Sequence, residues 1–105
     1  MNLSFSAEQV TGAAGAATVN QDAGIITTES LSTGAGATYT ETVACDAVTA
    51  NSLVFVSVAN GGNSQGDVSL GRVTPGNGVV TITIVNRHAS QAFNGSLKIS
   101  LLVFN

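Results

Sequence analysis

The chain has 105 residues, enough for one domain, with a net charge of −3, 44% apolar residues and only 9% charged residues, where an ordinary soluble domain carries about a quarter. Arg72, Arg87 and Lys98 are its only Lys or Arg residues, too few for a phosphate-tracking nucleic-acid binder, and the apolar share is too high for charge-driven disorder. A lone Cys45 excludes an intrachain disulfide framework, and the scarcity of Lys, Glu, Leu and Gln argues against exposed helices.

Along the chain the hydrophobic period is two, not 3.6. Leu3, Phe5 and Ala7 alternate with Ser4, Ser6 and Glu8, which predicts either a first strand or part of an N-terminal arm over residues 1–19. In the arm reading, Leu3 and Phe5 are apolar anchors on a partner. Thr11 to Ala17 is Gly- and Ala-rich. It is expected to be a flexible or close-packed connection, because small side chains let another backbone approach. Ile25, Ile26, Thr27 and Thr28 form a short β-branched run. Ala37, Tyr39, Glu41 and Val43 alternate with Thr38, Thr40 and Thr42, predicting a strand with a wet Thr face. Leu53 to Val58 is apolar on both sides and is expected to be a central strand covered on both faces. Thr74-Pro75-Gly76-Asn77-Gly78 predicts a turn with Pro75 second and a left-handed Gly76 third. It would join Val68–Val73 to Val79–Val85 as a hairpin. In the second of these, Val80, Ile82 and Ile84 face away from Thr81 and Thr83. At the end, Leu97, Ile99, Leu101 and Val103 alternate with Lys98, Ser100, Leu102 and Phe104. Gly34-Ala35-Gly36, Asn60-Gly61-Gly62-Asn63 and Asn94-Gly95 punctuate the pattern as turns. The whole predicts an all-β, single-domain antiparallel β-sandwich over residues 1–105, jelly-roll-like or Greek key, with seven or eight strands.

The residues hold little chemistry. Cys45 and His88 are the one Cys–His pair available; a nucleophile would also need a third, orienting group. A small buried thiol and a hydrogen-bonded loop histidine are the simpler expectation. Neither a metal-ligand spacing nor a phosphate loop is present, and Asp22, Glu29 and Glu41 cannot be paired from their positions. The chain is therefore read as no enzyme, with no catalytic residue, metal or cofactor. Arg72 and Arg87 are candidate partner contacts, because a guanidinium pairs well with carboxylates. No secretory signal and no apolar run near 20 residues is visible, so synthesis in the cytoplasm and no membrane partner are expected. A surface built from Thr, Ser, Asn, Gly and Ala loses little hydration energy when covered by protein. That favours a homo-oligomer, with a trimer expected.

Five stretches carry a resemblance. They are Gly24-Ile25-Ile26-Thr27-Thr28-Glu29-Ser30-Leu31, Gly36-Ala37-Thr38-Tyr39-Thr40, Val54 to Gly61, Arg72-Val73-Thr74-Pro75-Gly76, and Asn86 to Ile99. Together they resemble a β-rich domain of tailed-bacteriophage virion structural proteins, over about Val10 to Asn105. The resemblance implies a structural virion component and transfers no catalytic residue. A short chain without a shaft segment is expected to be a capsid decoration (cement) protein. It would bind the major capsid protein on the outside of the head and stabilise the shell. The alternative is a tail-fibre or spike-associated binding module, including a carbohydrate-binding one.

Overall fold

A computed structural model describes residues 7–105. Among these the chain is all-β, with eight strands in two four-stranded mixed sheets. The strands are β1 (Glu8–Thr11), β2 (Ala16–Thr18), β3 (Ala23–Thr27), β4 (Thr38–Ala44), β5 (Leu53–Asn60), β6 (Val68–Gly76), β7 (Val79–Asn86) and β8 (Leu97–Phe104). Sheet A has the order β1-β3-β8-β5 and sheet B the order β2-β4-β7-β6. The inward side chains of both sheets meet in one cluster: Ile26, Leu97, Ile99, Leu101 and Val103 from A, and Val43, Val80, Ile82 and Ile84 from B. Val19, Leu31, Cys45, Val48 and Phe93 close it from the loops. Fully burying one such aliphatic chain stabilises the fold by roughly 1.5–3 kcal/mol, so the period-two pattern of β7 and β8 accounts for much of the core.

A wholly antiparallel arrangement was expected, and two pairings correct it. β1 runs parallel to β3, with Glu8 opposite Gly24, and β2 runs parallel to β4, with Ala16 opposite Thr42. The cause lies in the small-residue stretch between them. Ala13 and Ala16 form an antiparallel bridge around Ala14 (φ 54°) and Gly15 (φ 77°), the doubly left-handed signature of a tight hairpin turn. The turn sends β1 to one sheet and β2 to the other. Each strand then lies along an edge in the direction its neighbour already runs. Gly15 also packs closely, since a Cβ there would stand 2.9 Å from the Thr40 carbonyl oxygen.

Two further expectations are corrected. β5 is an edge strand of sheet A, not a central one. Its two-sided apolar pattern has another origin: Val54, Val56 and Val58 are half-buried over the core, while Leu53 and Phe55 face outward and stay exposed. The hairpin turn sits at Asn77-Gly78, with Gly78 at φ 77°, while Pro75 and Gly76 belong to β6. Pro75 is tolerated there because β6 is an edge, where a missing N–H breaks no ladder.

Candidate functional site

The register decides which side chains leave sheet A outward. Ala23, Leu102 and Phe55 lie in one row across β3, β8 and β5; Ile25, Ser100 and Ser57 form the next; Leu53 and Phe104 pair beyond the first. One end of the face is therefore apolar and the other, with Thr27, Lys98 and Ala59, is mostly polar. Leu53, Phe55 and Phe104 are 64%, 57% and 45% exposed. Phe55 and Phe104 meet edge to face, with centroids 5.7 Å apart at 85°, a geometry that holds both rings in place. Beside them runs an open groove of about 350 Å³, lined by Ala7, Ala23, Ile25, Phe55, Ser100 and Leu102 among others. Taking roughly 200 Å² per large side chain, the three most exposed residues alone leave about 330 Å² of apolar surface uncovered. That is already the size at which a monomer's largest patch tends to be functional.

The outer face of sheet B differs. Thr40 pairs with Thr83, and Thr42 with Thr81, which also pairs with Thr74. This is the wet Thr face expected from the alternation. Hydroxyl-bearing side chains exposed on a sheet retain their water and leave no drive for burial.

Compared with known proteins, the chain matches no family model, no curated sequence and no solved structure.

The residues singled out from the sequence are scattered. Leu3 and Phe5 lie outside the described residues. Arg72 sits in the irregularity of β6, where the register shifts between Leu70 and Val73, and its N–H donates to Thr83 Oγ1 at 2.6 Å. Arg87 follows β7; its Nε donates to Ser69 Oγ at 3.1 Å and its N–H to the Asp67 carbonyl at 2.9 Å. Both arginines are exposed and belong to the β6–β7 side of sheet B, away from the apolar face. Cys45 is buried, its thiol 3.7 Å from the Gln21 carbonyl. His88 Nδ1 accepts from the N–H groups of Ser90 and Gln91 at 3.0 and 2.9 Å. Cys45 N–H bonds the Gly78 carbonyl before β7 begins, and His88 lies past its end at Asn86. Eight residues of strand, roughly 25 Å, separate them, so the two do not form a dyad.

One constellation was missed. Glu29 and Glu41, unpaired on paper, are bridged by Tyr39. The Tyr39 hydroxyl lies 2.9 Å from Glu41 Oε2 and 3.0 and 3.1 Å from the two Glu29 oxygens. A phenol has one proton to give, so it cannot donate to both acids. It donates to Glu41 Oε2 or to a Glu29 oxygen, and Glu29 also accepts from Gly15 N–H at 3.0 Å. Glu41 is fully buried, and its Oε1 has no hydrogen-bond partner among the described residues. Burial raises its pKa above the usual carboxylate range; the Tyr39 hydroxyl opposes this when it donates, and the charge on Glu29 adds to the rise. Tyr39 is itself pushed up, by burial first and then by its hydrogen bond to Glu41. The cluster ties the β1–β2 turn to β4. The only sequence signal for it was an acid at an inward position of a strand whose neighbours alternate cleanly.

Proposed function

We propose that this chain is a structural assembly protein. In this reading it is a capsid decoration protein that binds the outer surface of a tailed-phage head as an oligomer, a homotrimer by expectation, and stabilises the shell through contacts with the major capsid protein. The observation that carries the assembly reading is the outer face of sheet A, where Leu53, Phe55 and Phe104 remain exposed beside an apolar groove. Sequence resemblance supplies the virion setting, and the low charge suits extensive protein contact. We also take the two sheets as a β-sandwich and, of the two arrangements expected, the Greek key. Around the sheets β8 lies beside β5, β5 contacts β6 across the open edge, and β6 pairs with β7, the spatial order of that motif.

The mechanism needs no strong single contact. An oligomer that straddles a seam between shell subunits makes several weak contacts at once, and linkage raises the effective concentration of each. Binding sites that exist only in the assembled shell stabilise that shell by mass action. The test is quantitative mass spectrometry of purified virions, combined with heat-driven DNA release from particles with and without the protein. A copy number matching the capsid lattice and earlier release without the protein are expected. A few copies per particle would move the role to the tail fibre, and absence from particles would refute it.

A further inference from the structure

We infer that the outer face of sheet A is a homotypic interface, and that its occupant is a second copy of this chain packed face to face through Leu53, Phe55, Leu102 and Phe104. The inference deepens the assembly reading by naming surface and partner, rests on it only for the expectation that the chain assembles at all, and puts a two-fold pair in place of the expected trimer, since a face packed on its own copy closes as a dimer. Three observations select a second copy. The first is charge. A self-complementary contact brings each residue close to its own image or to a neighbour's, so like charges are the usual obstacle. Lys98 is the one charged side chain on the outward positions of sheet A's described strands, and it lies at the polar end. All six acids of the chain fall elsewhere: Glu8 shares an inward row with Gly24, Glu29 and Glu41 sit in the Tyr39 cluster, and Asp22, Asp46 and Asp67 lie in connections. A basic partner would find no acid on these outward positions, and an acidic one only Lys98, away from the apolar end.

The second observation is area. The four strands, of 4, 5, 8 and 8 residues and about 4.8 Å apart, present roughly 400 Å² in projection. Two such faces bury on the order of 800 Å² together, the size of a weak, concentration-dependent interface. The apolar end supplies its dry centre, and Ser57, Ser100 and Thr27 supply a polar rim in which Lys98 is the one ion. The third is shape. Sheets stack about 10 Å apart when large side chains interdigitate. The Phe55–Phe104 pair forms a ridge and the groove beside it forms the slot, so one copy's ridge fits the other's groove.

The test is sedimentation velocity of the purified chain at tens of micromolar, on wild type, Phe55→Asp and Thr40→Asp. Phe55 and Thr40 are both exposed, on opposite sheets, and circular dichroism and thermal melting check that each variant is folded. The wild type and Thr40→Asp are expected to sediment as dimers or larger assemblies, and Phe55→Asp as a folded monomer. A monomeric wild type overturns the inference. If removal of residues 1–6 then produces association, the chain's own N-terminus is the occupant. Association retained by Phe55→Asp, or lost equally in both variants, also overturns it. Either failure leaves the virion reading intact, because that one stands or falls on copy number in particles.

Discussion

Glu41→Gln separates two accounts of the buried cluster. In the native chain Glu41 is fully buried, one oxygen has no partner among the described residues, and the other shares Tyr39 with Glu29. Its pKa is raised on folding, so the folded state holds a proton that the unfolded state releases in the ordinary glutamate range, near about 4.3. Below that range both states are protonated and the contribution of Glu41 to stability is complete. As pH rises from there toward the raised value, the unfolded state alone loses the proton, and stability falls by about 1.4 kcal/mol per pH unit. For a domain of this size that is roughly 6–11 °C of melting temperature per unit. Above the raised value both states are ionised and the decline stops. Glutamine keeps the shape and leaves Tyr39 a partner but carries no titrating proton. Urea denaturation across pH 3–9 is the assay. The difference between the two proteins is expected to be small and constant below pH 4, within about 1.5 kcal/mol. It then grows in favour of Glu41→Gln over the one-proton window. A difference that stays flat, or a wild type that gains on the variant as pH rises, would refute a neutral buried Glu41.

Two other substitutions probe the same scaffold. Asn86 is fully buried; its Oδ1 accepts from the N–H groups of Asp67 and His88, and its Nδ2 donates to the carbonyls of Thr33 and Gln91. Asn86→Ala strands all four backbone groups and should cost about 3–5 kcal/mol in urea denaturation; a loss under about 1 kcal/mol would show that the loops hold themselves. Gly15→Ala places a Cβ 2.9 Å from the Thr40 oxygen at φ 77° and should lower stability by about 2 kcal/mol. Gly34→Ala, in open space, should leave it unchanged or raise it by roughly 0.5 kcal/mol.

Much of this protein could be read from its residues in order, because β-strands write their exposure with period two. The Val80, Ile82, Ile84 row against Thr81 and Thr83 became core against wet face, as did Leu97 to Val103 against Lys98 and Ser100. Alternation says which residues share a face, but not what lies over that face or which strand lies alongside. Leu53 to Val58 looked central because both of its faces are apolar, yet only the sheet order reveals that it lies at an edge, and only the packing that Leu53 and Phe55 stay exposed. The parallel β1–β3 and β2–β4 pairs arise from a two-residue turn whose effect is to hand one strand to each sheet, a long-range consequence with no local periodicity. Glu29, Tyr39 and Glu41 were equally visible and equally silent. A hydrogen bond across ten residues, between a strand and the segment after another, exists only once both sheets have closed on the same core.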